Sequence, residues 1–151
     1  MFVQVLDLES GRVQSTAVLD TGKNTFSAKS VSVSGSRMIL SDDQNRVSVY
    51  SFDGKRLASF PGHRFELGAD LLLVDEESQS EKLALYDLSH LERRTQYIFE
   101  SPVIVSEFSS DGRRLLVVTA DQNVYSIDPA APPSPAGLTS KQEPEGLQPV
   151  H

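Results

Sequence analysis

Histidine and carboxylate side chains are the groups in this sequence that could bind a metal or transfer a proton. The histidines are His63, His90 and His151, and the chain contains no cysteine. A zinc site needs several such ligands close together, whereas the repeats described below place His63 and His90 on opposite faces of the fold. The segment Asp42-Asp43-Gln44-Asn45 lacks the glutamate that closes a calcium loop. We therefore expect no metal and no cofactor.

Motifs of the common enzyme classes are missing as well. The sequence contains no phosphate-binding Gly-x-x-x-x-Gly-Lys, no Gly-x-Gly-x-x-Gly, no Gly-x-Ser-x-Gly and no His-Glu-x-x-His. Its aspartate-rich segments are typical of turns, because Asp and Asn side chains hydrogen-bond their own backbone. The sequence thus predicts a protein that is not an enzyme.

Composition limits the class of partner. The chain has 151 residues and a formal net charge of -7, which suits one acidic domain and argues against nucleic acid or an anionic membrane as its partner. No segment approaches the length of a spanning helix, and no basic region followed by an apolar one opens the chain. We expect a cytoplasmic protein, although a fragment of a secreted chain would look the same.

Short strands separated by turns must position these side chains. Val103 to Phe108 is rich in apolar residues, and Ser109 to Gly112 has turn chemistry. Leu115 to Thr119 is too short for a helix, Ala120 to Asn123 turns the chain again, and Val124 to Ile127 alternates like a half-buried strand. This stretch predicts a three-stranded antiparallel meander.

The same order of strands and turns recurs upstream. Further strands are predicted at Phe2 to Leu8, Val13 to Leu19, Ala28 to Val33, Met38 to Ser41, Val47 to Phe52, Leu57 to Phe60, Arg64 to Leu67, Leu71 to Val74, Leu83 to Leu88 and Thr95 to Phe99. The unit is a four-stranded meander of roughly 35 to 45 residues, the period of propeller blades. Tyr50, Tyr86 and Tyr125 recur at its third strand, which predicts packing between neighbouring blades.

The stretch F-S-S-D-G-R-R-L-L-V-V-T-A-D-Q-N-V-Y-S-I-D resembles a blade of the WD-repeat and TolB-like propellers. Gly62-His63 is similar to the Gly-His pair before a WD-repeat blade, and Tyr86-Asp87 stands where that family has Trp-Asp. The resemblance covers about Val3 to Asp128. It departs from the family in having no tryptophan, so the buried Asp-His-Ser-Trp network of that family cannot be completed.

The predicted fold is all-β: a partial β-propeller arc of four-stranded antiparallel blades over residues 1–128. It comprises a half blade at about 2–19, full blades at 26–60 and 64–99 and an incomplete blade at 103–128. Closed rings have about four to eight blades, so three explanations are open. Arcs could assemble with another copy or another chain, the sequence could be part of a longer propeller, or the ring could be closed and four-bladed.

The last segment differs in composition. Residues 129–151 contain Pro129, Pro132, Pro133, Pro135, Pro144 and Pro149 and little that could be buried. We predict a disordered Pro-rich C-terminal tail, with a docking peptide for a proline-recognising module as the alternative.

Candidate partner-binding residues follow from sorting charges by face. The loops between second and third strands, with the links between blades, form what we call the acidic loop face. The other hairpin loops form what we call the arginine face. On the acidic loop face we predict contacts at Asp42, Asp43, His63, Arg64, Glu76, Glu77 and Asp121; on the arginine face, at Arg93, Arg94, Arg113 and Arg114. The alternative is that these bases only keep the hairpins soluble.

Together these features predict a non-catalytic protein-interaction module whose partner is protein, either another chain or itself in a homo-oligomer that closes a ring. The alternative is a fragment of a ligand-binding or hydrolytic propeller enzyme that lacks its remaining blades.

Overall fold

The computed structural model describes residues 1–21, 27–78 and 80–131. Its strands are β1 (Phe2–Leu6), β2 (Val13–Val18), β3 (Ala28–Ser34), β4 (Arg37–Asp42), β5 (Arg46–Ser51), β6 (Arg56–Pro61), β7 (Arg64–Gly68), β8 (Leu71–Asp75), β9 (Lys82–Asp87), β10 (Glu92–Ile98), β11 (Val103–Phe108), β12 (Leu115–Thr119) and β13 (Val124–Ile127). Each predicted strand is present. The start of the predicted blade at residue 26 and the predicted tail from Pro132 onward lie outside the described residues.

The strands form four antiparallel sheets, which we call blades 1 to 4. Blade 1 pairs β1 with β2, blade 2 has the order β3-β4-β5-β6, blade 3 runs from β7 to β10, and blade 4 has the order β11-β12-β13. Every pair joins neighbouring strands of the chain, as a meander requires. The predicted all-β arc of propeller blades is confirmed.

The apolar core lies between the blades. Met38, Leu40 and Tyr50 of blade 2 pack with Leu19 and with Val3 and Val5 of β1. A second cluster joins blade 2 to blade 3, and a third joins blade 3 to blade 4. The repeated tyrosines belong to these clusters: Tyr86 lies 4.0 Å from Phe60 and Tyr125 lies 5.1 Å from Phe99, measured between ring centroids. The prediction that they pack between blades is confirmed.

Both end faces of the described arc are uncovered. At one end Phe2 and Val18 of blade 1 are exposed, and at the other end Leu116 and Val124 of blade 4 are exposed. Because these apolar side chains do not cover each other, the described residues form an open arc and not a closed four-bladed ring.

The structure differs from the prediction mainly in β10, which begins at Glu92 instead of Thr95. The sequence placed Arg93 and Arg94 in a loop because they are charged. They lie instead at a bulge in the outermost strand of blade 3, where the register shifts between Arg93 and Thr95. An outer edge strand tolerates such residues, since their side chains remain in water.

Candidate functional site

Backbone hydrogen bonds assign the loops to their faces. On the acidic loop face Asp43 N donates to Ser27 O at 3.1 Å, His63 N to Asp75 O at 3.0 Å, and Ala120 N to Pro102 O at 2.8 Å. On the arginine face Leu88 N donates to Asp70 O at 2.9 Å. The loops therefore segregate as the blade pattern predicts.

Asp42 is the most firmly held of the predicted contact residues. It ends β4 and is 1% exposed. Its Oδ1 accepts hydrogen bonds from Gln44 N and Arg46 N, both at 2.9 Å, and its Oδ2 accepts from Arg46 Nε at 2.8 Å and Nη2 at 2.7 Å. Asn45 takes a φ of 55° inside this turn, a conformation that Asn adopts more readily than most residues. Asp42 thus closes the β4–β5 turn, and its carboxylate is already occupied.

Asp75 ends β8 in blade 3 and lies close to His63 and Arg64. Its Oδ2 is 3.5 Å from Arg64 Nη2 and 3.8 Å from His63 Nε2, which are long distances for hydrogen bonds. Asp75 Oδ1, His63 Nδ1 and Arg64 Nε are buried and have no hydrogen-bond partner among the described residues. Burial raises the pKa of Asp75, and the nearby His63 and Arg64 charges lower it by less. The group is a loosely paired polar cluster beneath the acidic loop face.

Asp75 was predicted on the acidic loop face, at the start of the loop from Asp75 to Lys82, but it was not singled out as a contact residue. The signal that could have found it is an aspartate directly after the apolar run Leu71 to Val74, with a histidine and an arginine at the start of the paired strand.

Glu76 and Arg93 were predicted on opposite faces, but the structure pairs them. Arg93 Nη2 lies 3.0 Å from Glu76 Oε1, since the long arginine side chain reaches from β10 to the loop after β8. Both side chains are partly exposed. Arg93 is therefore not a free cation of the arginine face.

Asp121 is exposed and stabilises its own turn through side-chain hydrogen bonds. Its Oδ1 accepts from the Thr119 hydroxyl at 2.6 Å, and its Oδ2 accepts from Asn123 Nδ2 at 2.7 Å. The Thr119 hydrogen bond is the main reason why the pKa of Asp121 is lowered. Ser109 holds Asp111 in the same way at 2.6 Å, and Ser51 holds Asp53. This hydroxyl-x-Asp pattern explains several turn aspartates without any ligand.

Asp43 and Glu77 are exposed at the acidic loop face. Between their loops lies a cleft of about 370 Å³ lined by Lys29, Asn45, His63, Glu76, Glu77 and Ser78. The cleft lies between blades 2 and 3, and three of the predicted residues line it: His63, Glu76 and Glu77.

Arg94, Arg113 and Arg114 are exposed on the arginine face. Arg113 and Arg114 line a cleft of about 420 Å³ with Leu71, Gly112, Asp128, Pro129 and Ala130. Arg94 lines another with Asp87, His90, Glu92 and Arg93. Carboxylates stand beside the bases in both clefts, which weakens the positive field of this face.

Glu66 is a further half-buried acid, on the inner strand of blade 3. Burial raises its pKa, Glu107 on the inner strand of blade 4 raises it further, and Arg64 opposes both. The sequence pattern gave no sign of this proximity, which depends on how two blades pack.

Within residues 1–21, 27–78 and 80–131, no group of three or more His, Asp or Glu side chains is arranged to hold a metal ion. The same part of the chain contains no helix that is both long and apolar enough to span a bilayer.

Comparison with known proteins agrees with this geometry. The sequence matches no family model and no curated protein. Among solved structures, the β-propeller domain of Cps50 (Swd1) from Myceliophteria thermophila is 16% identical, with a TM-score of 0.55 over 72% of this chain and 38% of that chain. A chain of the mitotic checkpoint complex is 22% identical, with a TM-score of 0.58 over 84% of this chain and 40% of that chain. The C-terminal WD40 domain of Sif2 is 15% identical, with a TM-score of 0.56 over 84% of this chain and 37% of that chain.

These similarities define the fold: the chain has the architecture of part of a WD40 β-propeller. It spans about two fifths of the length of the structures that it matches. At such identities the likeness concerns the fold alone.

Proposed function

We propose that the chain is a non-catalytic protein-interaction module and that its acidic loop face binds a basic segment of a partner protein. The observation that carries the proposal is the set of exposed carboxylates on this face: Asp43, Glu77, Glu81 and Glu100. The backbone bonds from Phe99 N to Glu81 O at 2.8 Å and from Val103 N to Ser80 O at 3.0 Å hold two of their loops together.

Loops on a rigid scaffold are the usual place for binding residues. Opposite charge steers a partner to such a face and fixes its orientation. Nucleic acid does not fit this face, because phosphates would be repelled by the same carboxylates. Partners of opposite sign are proposed for the arginine face, at Arg94, Arg113 and Arg114.

Charge reversal on each face tests the assignment. One variant carries Asp43→Lys, Glu77→Lys and Glu100→Lys, and its matched control carries Arg94→Glu, Arg113→Glu and Arg114→Glu. All six side chains are exposed, so both variants should fold, which thermal melting would verify. Each variant is then used to capture proteins from a lysate, and the captured proteins are quantified. The first variant should fail to capture one set of proteins, and the control should fail to capture a different set. Identical partner sets for wild type and both variants would overturn the proposal.

The exposed end faces suggest a second element of the proposal: other blades complete the ring, from a second copy or from a longer chain. Light scattering after size exclusion measures this directly. Self-assembly should give a discrete dimer or larger species, and a monodisperse monomer with a cooperative melt would contradict it.

A further inference from the structure

The backbone around His63, in the link between blades 2 and 3, is held from both sides. Gly62 N donates to Asn45 O at 2.9 Å, and His63 N donates to Asp75 O at 3.0 Å. A Cβ atom at Gly62 would collide with Val74 Cγ1, so the two blades enclose this stretch closely. A change in the charge of His63 therefore acts through its side chain.

The imidazole of His63 reaches both the acidic loop face and a buried acid. His63 is one of the residues that line the cleft between blades 2 and 3, and its side chain is 27% exposed. Its Nε2 also lies 3.8 Å from Oδ2 of Asp75, whose side chain is only 5% exposed. His63 thus connects the cleft to a carboxylate that water hardly reaches.

The gap between His63 and Asp75 leaves room for a closer pair. A charge-assisted hydrogen bond between such groups is about 2.8 Å long, about 1 Å less than the present separation. A neutral imidazole gains little from closing this gap, whereas an imidazolium is attracted to the carboxylate. Burial raises the pKa of Asp75, and the charge of His63 is the strongest influence that lowers it. Protonation of His63 should therefore draw its ring toward Asp75.

The charged groups that face His63 decide what its protonation does to the cleft, to which the β4–β5 turn contributes the uncharged Asn45. They are Arg64, which is the next residue, Lys29 on β3, Asp75 at the end of β8, and Glu76 and Glu77 in the loop that follows. Glu76 is paired with Arg93, whereas Glu77 takes part in no ion pair within the described residues. Glu77 is therefore the carboxylate of the cleft that can attract a basic partner. A positive charge on His63 adds to those of Lys29 and Arg64 and weakens this attraction.

Two other acid–base pairs lack this combination of a titratable base, a cleft and a buried acid. Asp42 is paired with Arg46, and a guanidinium does not lose its charge in proteins. His90 Nδ1 lies 3.2 Å from Asp87 Oδ1, but their side chains are 75% and 32% exposed, so water screens the pair. Within the described residues, His63 is thus the histidine that joins a cleft to a buried acid.

We propose that His63 is a pH-dependent switch of the acidic loop face: its protonation pairs it with Asp75 and weakens the binding of a basic partner segment in the cleft. The inference rests on the proposed function, because it describes the regulation of the same face. Histidine is the side chain that ordinarily changes its charge between about pH 5 and 8. The acidic loop face therefore binds a basic segment more tightly at the upper end of this range than at the lower end.

NMR spectroscopy of the full chain tests the switch without a partner. Between about pH 8 and about pH 5.5, the carboxyl carbon of Asp75 should shift with the same midpoint as the ring of His63. In the variant His63→Gln this step should disappear. It should persist in the matched control His90→Gln, because His90 is paired with Asp87 in a different loop. A ring of His63 that titrates without a step at Asp75 would overturn the proposal.

Binding is measured by fluorescence anisotropy at low salt, with a labelled hexalysine peptide as the basic segment, after thermal melting has verified that both variants fold. Wild type and His90→Gln should bind the peptide at least about threefold more weakly at about pH 5.5 than at about pH 8, the effect of one added charge near the site. His63→Gln should lose this pH dependence, and an equal pH dependence in both variants would overturn the switch alone. Absence of binding at the higher pH would contradict the proposed function as well, so the two failures are distinguishable.

Discussion

Asp42 and Asp75 each end the second strand of their blade and pair with the start of the first strand. Asp42 has close partners on both carboxylate oxygens, while one oxygen of Asp75 has no partner among the described residues and the other lies 3.5 Å from Arg64 and 3.8 Å from His63. The turn after Asp42 is short and returns Arg46 to it. No base follows Asp75 before Lys82, so its nearest bases are His63 and Arg64, at the start of the first strand of blade 3.

The comparison shows that an aspartate at the end of a second strand can be firmly hydrogen-bonded in one blade and buried but loosely paired in the next. Burial disfavours the charged form of a carboxyl unless hydrogen bonds compensate. Blade 2 provides that compensation within a single turn, whereas in blade 3 the nearest bases stand at the start of the paired first strand.

The largest effect should come from Asp42→Ala. Removing this carboxylate leaves Arg46 and the amides of residues 44 and 46 without their acceptor, which should lower the free energy of unfolding by about 3 kcal/mol. Urea denaturation measures the change. The matched control is Asp43→Ala, whose exposed side chain should matter by less than about 0.5 kcal/mol. If both variants lost a similar free energy of unfolding, the hydrogen bonds of Asp42 would not be what stabilises this turn.

Asp75→Asn should raise the stability of the folded protein, whereas Asp42→Ala lowers it. The substitution keeps the shape of the side chain and removes the buried charge. Since the pKa of Asp75 is raised in the folded state, the folded protein holds more protons than the unfolded one between the ordinary and the raised value. The contribution of Asp75 to stability is therefore fully present below the ordinary pKa and is lost as pH rises through the raised one.

We thus expect Asp75→Asn to gain stability relative to wild type as pH rises from about 4 toward 7, the range above the ordinary aspartate pKa. Urea midpoints measured across this range test the sign. A difference that stays constant with pH would mean that the pKa of Asp75 is not raised, and a growing loss would mean that the pKa of Asp75 is lowered in the folded state.

The sequence predicted the strands well, because hairpin strands are local and alternate visibly between apolar and polar residues. It could also have predicted the Asp42–Arg46 pair from its spacing across one turn. It could not predict the Asp75 cluster, which depends on the pairing of Arg64 with Asp75 across two strands. Sorting charges by loop failed for Arg93, since a side chain in a strand can reach a loop at the other end of the sheet.

The smallest effect should come from Glu76 and Arg93, the pair that ties the loop after Asp75 to β10. Their side chains are partly exposed, so we expect a coupling of about 0.5 kcal/mol between Glu76→Gln and Arg93→Gln in a double-mutant cycle. High salt should reduce this coupling, because exposed charges are screened. A coupling that persists in high salt would instead mean that the pair is shielded from water, and the loop of blade 3 would then be held as firmly as the turn of blade 2.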